Sequence, residues 1–88
     1  MAKTTDLSPL PLEARRDYFR KAYTIELARL HATGVCNWPI ERLPEITDKS
    51  MKALLGGTMP TGPAMEATRK MFGLKTQKAT FELLGVTA

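Results

Sequence analysis

Nucleophilic and metal chemistry both need a few side-chain types brought together, and this chain offers few of them. It holds one histidine, His31, and one cysteine, Cys36, five positions apart across Gly34. Such a pair could act as nucleophile and base, but a third group must orient the imidazole, and no neighbour is suited to that task. Two ligands do not close a metal site, which needs several His, Cys or carboxylate groups. His31 therefore reads as a solvent-facing helix residue, and Cys36 as a small buried or half-buried residue beside Trp38. Gly56-Gly57 and Thr61-Gly62-Pro63 lack the phosphate-loop pattern, with no lysine in the required place. Glu41 and Glu45 form an i, i+4 pair that reads as solvated rather than as acid and base. These residues point away from an enzyme, and no cofactor is expected.

Cations are what the chain does supply. Its 88 residues carry 13 Lys+Arg and 9 Asp+Glu, a formal charge of +4. Residues 1–48 are balanced, with Lys3, Arg15, Arg16, Arg20, Lys21, Arg29 and Arg42 against Asp6, Glu13, Asp17, Glu26, Glu41, Glu45 and Asp48. In residues 49–88, Lys49, Lys52, Arg69, Lys70, Lys75 and Lys78 face only Glu66 and Glu82, so this half holds the whole excess. A one-sided basic field favours polyanionic partners, nucleic acid above all. The same side chains would also suit an ordinary solvated surface.

The elements that must position these cations read as helices. Leu12, Phe19, Tyr23, Leu27 and Leu30 share a face over residues 12–33, with Tyr18, Ala22 and Ile25 widening it, while Glu13, Asp17, Arg20, Lys21, Thr24 and His31 lie opposite. That is an amphipathic helix of about six turns, begun near Ser8-Pro9 and stopped by Gly34. Asn37 can cap a short helix over 39–43, which Pro44 interrupts by restricting Leu43. Thr47 is placed as the cap of a further helix over 48–55, ended by Gly56-Gly57. Pro63 can open the next helix, whose apolar face is Ala64, Met65, Thr68, Met71 and Phe72, and Gly73 stops it. Thr76 caps a last helix, Gln77 to Leu84, ended by Gly85. The expected fold is all-α, four to five helices around one core. Residues 1–10 are expected to be a flexible segment, 11–85 a single helical domain, and 86–88 frayed.

Residues 37–57 then read as a short helix, a tight turn and a second capped helix, followed by a Pro-containing loop and Met71-Phe72-Gly73-Leu74. This pattern resembles the helix-turn-helix of lambda-repressor-like DNA-binding domains, over residues 37–74. Ile40, Ile46, Met51 and Leu54 would fill the positions where the two helices pack. The register departs from the family in carrying Glu41 and Glu45 where a small residue and a turn glycine are usual, and in Pro44 near the turn. A second window, Met65 to Leu84, reads as helix-Gly73-helix, with Glu82 where an apolar residue is expected. The resemblance implies a recognition helix with Thr47, Lys49, Ser50 and Lys52 toward the major groove. Arg69, Lys70, Lys75 and Lys78 would add phosphate contacts.

The reading that follows is a small non-enzymatic protein that binds double-stranded DNA, a transcriptional regulator or accessory factor. A homodimer through the long helix 12–33, with Tyr18, Phe19 and Tyr23 at its face, would match a two-fold site. The alternative is a helical adaptor or inhibitor that docks a protein partner through aromatic and Met anchors. Neither a secretory signal after Met1–Asp6 nor a membrane span is expected, and one cysteine makes no internal disulfide, so the location expected is cytoplasmic.

Overall fold

The computed structural model describes residues 7, 9–35 and 38–86. Four α-helices make up the fold: α1 (Leu12–Ala32), α2 (Leu43–Leu55), α3 (Pro63–Met71) and α4 (Gln77–Leu83), with a single 3₁₀ turn, Ile40–Arg42, running directly into α2. The chain is all-α, with the long N-terminal helix expected from its periodicity. Asn37, Ser8 and Cys36, given capping or packing roles above, lie outside the described residues.

The long helix is the element on which α2 and α3 both pack. Its buried residues are Phe19, Ala22, Tyr23, Glu26, Leu27 and Leu30, the i, i+3, i+4, i+7 stripe that a 3.6-residue period turns to one side. Tyr18 and Ile25, expected to widen that face, are instead 54% and 63% exposed. They lie round the helix from the stripe, where Ile25 borders an open groove with Pro44 and Thr47 of α2. Phe19 and Tyr23, expected at a dimer face, are spent on the chain's own core, where Phe19 meets Phe72 with ring centroids 5.8 Å apart. Glu26 is buried without being unpaired: Arg29 Nε donates to its carboxylate at 2.8 Å. The core also takes Leu7 at one end, and Val86 packs on it at the other. Ordered packing therefore extends beyond 11–85, and the segment expected to be flexible supplies a core residue.

The third helix opens on Pro63 and the fourth on Thr76, both as expected. Proline loses nothing at a first turn, where its missing N–H had no partner. Thr76 Oγ1 accepts from Ala79 N at 3.0 Å, satisfying a donor the helix start leaves open. Between them the chain reverses through Gly73, whose φ of +69° is left-handed. Leu74 N then donates to Arg69 O at 2.8 Å, closing the carbonyl end of α3. Met71, expected on the apolar face of α3, is 37% exposed, because the face toward α1 is filled by Ala64, Met65, Thr68 and Phe72.

The two chain ends of the fold meet. Arg15 Nη1 donates to Leu83 O at 3.0 Å, and Arg16 Nε to Leu84 O at 2.9 Å. These arginines satisfy and neutralise the carbonyl end of α4. No helix among the described residues is long and apolar enough to cross a membrane.

Candidate nucleic-acid interface

The segment that was to hold the first helix, the turn and the recognition helix is one continuous rod. Residues 40–42 make a 3₁₀ turn, and α2 begins at Leu43 with no break. Pro44 falls in the first turn of α2, where proline starts a helix rather than ending one. Thr47 thus lies one turn inside α2 and caps nothing. It is 1% exposed, and its hydroxyl meets that of Thr24 on α1 at 2.8 Å. Ser50 is half-buried on the same side of α2, with its Oγ 3.0 Å from the Tyr23 hydroxyl. Two of the four expected base readers are therefore tied into the α1–α2 seam and are not presented to a groove of DNA. Ile40, placed as a packing residue of that unit, is 56% exposed.

The remaining cations divide among separate surfaces. Lys49 lines a groove with Trp38 and Arg42, and there Arg42 is already engaged by Glu45 at 3.3 Å. Trp38 itself packs against the core rather than standing free. Lys52 shares a second groove with Arg16 and Arg20, whose field is offset by Glu13, Asp17 and Asp48 along the same walls. Arg20 forms an ion pair with Asp48. Asp48, on the exposed side of α2, would repel a phosphate backbone approaching this groove. The six basic residues that hold the excess charge of residues 49–88 therefore do not share one groove.

Three of them do. Arg69, Lys70 and Lys75 line one groove of about 410 Å³, floored by Gly73 and Leu74, with Glu66 as its single acid. Arg69 is held in place by donating from Nε to Thr80 Oγ1 at 3.1 Å, so its position couples α3 to α4. Thr80 is fully buried and donates in turn to Thr76 O at 3.2 Å. Lys70 and Lys75 are exposed, and among the described residues neither makes an ion pair. Lys78, in the first turn of α4, approaches Glu82 at 3.9 Å, a loose i, i+4 pair that solvent and salt screen easily.

No protein-family model matches the chain, and no curated protein or solved structure matches it either. The site is therefore read on its own geometry. Among the described residues, no group of three or more His, Cys, Asp or Glu is placed to hold a metal ion. The groove of Arg69, Lys70 and Lys75 can do one thing chemically: present fixed and mobile cations to an anion with several charges. What sequence reasoning missed was the role of Arg69 as a buttressed cation. The signal was there in Arg69 and Thr80, eleven positions apart on either side of a glycine turn.

Proposed function

We propose that the protein binds double-stranded DNA through the basic edge of the α3–turn–α4 unit, with Arg69, Lys70 and Lys75 neutralising backbone phosphates and Lys78 adding a fourth contact. The convergence of three cations on one groove, none of them in an ion pair among the described residues, carries this reading. It is the second of the two windows in the sequence. Glu82 is no obstacle, since it is exposed while Phe81, Leu83 and Leu84 do the packing. Contacts of this kind position a protein on the duplex without reading sequence. The biological role that fits is an accessory or regulatory protein that occupies DNA and does no chemistry on it.

An electrophoretic shift on duplex DNA with a salt series tests this. Four neutralised phosphates give a slope of log K against log salt of about −3.6, so affinity falls roughly 10²-fold between 50 and 200 mM salt. Replacing Lys75 with Ala should bring the slope nearer zero by about 0.9. Lys49→Ala and Lys52→Ala should leave it unchanged. Negligible duplex affinity at low salt, or a slope that responds only to Lys49 and Lys52, refutes the proposal.

A further inference from the structure

The chain has six arginines, and five of them are spent on its own carbonyls and carboxylates. Arg15 and Arg16 donate to the carbonyl oxygens at the end of α4. Arg20, Arg29 and Arg42 are paired with Asp48, Glu26 and Glu45. Arg69 differs. Its Nε donates at 3.1 Å to a neutral hydroxyl, that of Thr80. Glu66, the acid of the same groove, is not within ion-pair distance, and no other carboxylate among the described residues engages Arg69. The hydroxyl that holds it has no freedom of its own. Thr80 is fully buried, and its single proton goes to Thr76 O at 3.2 Å, so a lone pair is left to face Arg69. A guanidinium is planar, so fixing Nε narrows the directions in which the Nη fork can point. Arg69 is therefore oriented before any ligand arrives, with its charge uncompensated.

We infer that Thr80 is the positioning residue of the DNA contact: it holds Arg69 ready to take one backbone phosphate through both Nη groups, while Lys70 and Lys75 contribute charge alone. This rests on the DNA reading above. A bidentate guanidinium–phosphate pair needs the fork aimed at two oxygens at once, which a lysine ammonium cannot do. A free arginine gives up its rotamer freedom on binding, whereas Arg69 has given it up on folding, so its phosphate contact costs less. Thr80 lies beneath the surface and can touch no ligand, so its effect on binding has to pass through Arg69. Thr80→Val keeps the shape of the side chain, and Thr76 O still accepts from the Thr80 N–H at 3.3 Å, so α4 retains its first turn. The Nε–H that this change releases sits on a half-buried side chain, within reach of water.

Fluorescence anisotropy of a short DNA duplex over a salt series tests the inference in the full chain. Circular dichroism and urea midpoints fix the conditions in which each variant is folded. Thr80→Val should bind roughly 2- to 12-fold more weakly, the worth of one side chain ordered in advance. Its slope of log K against log salt should match wild type, because no charge has been removed. Thr80→Ser, which keeps the hydroxyl, should bind like wild type. Arg69→Lys changes no buried group and should likewise weaken binding at unchanged slope. Arg69→Ala should bring the slope nearer zero by about 0.9, and in that background Thr80→Val should have no further effect. A wild-type chain that binds no duplex refutes the DNA reading, and this inference with it. Wild-type binding that Thr80→Val or Arg69→Lys leaves undiminished overturns this inference alone. So does a Thr80→Val loss that persists in Arg69→Ala or that Thr80→Ser shares.

Discussion

Replacing Thr47 with valine separates the two possible DNA faces of this chain. The Thr24 hydroxyl donates to Arg20 O at 3.0 Å, and a hydroxyl has one proton to give. In the 2.8 Å contact between the two threonines the proton therefore comes from Thr47. Valine has nearly the same shape, so Thr47→Val opens no cavity. It removes one hydrogen bond whose acceptor, Thr24 Oγ1, still has its own proton placed. The cost should be that of a single neutral bond, about 0.5–1.5 kcal/mol. For a domain of this size that is a fall in Tm of roughly 4–8 °C per kcal/mol. Thr24→Val is different, because it strands the donor on a threonine that is 1% exposed, and leaving a buried group unpaired costs about 1–3 kcal/mol. The double valine variant should cost less than the two single changes together, since both ends of the contact are then apolar. Urea unfolding of all four proteins measures this as a double-mutant cycle with a coupling of about 1 kcal/mol. DNA affinity, measured where each protein is fully folded, should be the same in wild type and Thr47→Val. A Thr47→Val variant of unchanged stability and weakened DNA binding would refute the reasoning and return Thr47 to the surface of a recognition helix.

Three further outcomes follow from the geometry. Leu54 is fully buried, so Leu54→Ala should cost about 2–5 kcal/mol, a large part of the whole stability of a chain this short, measured by the midpoint of chemical unfolding. Gly85→Ala should cost more than Gly34→Ala. Both sites have left-handed φ, +72° and +79°, but only at Gly85 does an added methyl meet a side chain, 2.6 Å from Leu12 Cδ1. The shared backbone penalty is about 1–2 kcal/mol, and thermal melts of the two variants give the difference. Lys21 titrates above its ordinary value because the Asp17 carboxylate accepts its hydrogen bond and attracts its charge. In Asp17→Asn its titration, followed by side-chain NMR, should drop back toward 10.5.

The helices were legible because their signals are local. A 3.6-residue stripe marks α1, glycines mark the ends of all four helices, and Thr76 and Pro63 mark two starts. Pro44 misled because the same residue can end one helix or begin another, and only the α2 backbone shows which. Thr47 misled because a threonine hydroxyl can cap its own helix or bond a neighbouring one, and the choice depends on where α1 lies. The cations were countable in advance but not mappable. Lys49 and Lys52, three positions apart on α2, line different grooves, while Arg69, Lys70 and Lys75 reach one groove only because Gly73 folds the chain back. Glu26 was missed as a buried residue, although Arg29 three positions on was a readable sign of its pairing.

The two arginines that hold the end of α4 also bear on when this protein can finish folding. Arg15 waits for a carbonyl 68 positions further along the chain, and Leu84, fully buried, comes later still. On a ribosome, α1 emerges early, before α2 and α3, the helices that pack on it, have been made. The two carbonyl contacts of Arg15 and Arg16 form only once residues 83 and 84 have left the ribosome. Chains truncated before residue 83 should be cut by protease faster than the full chain.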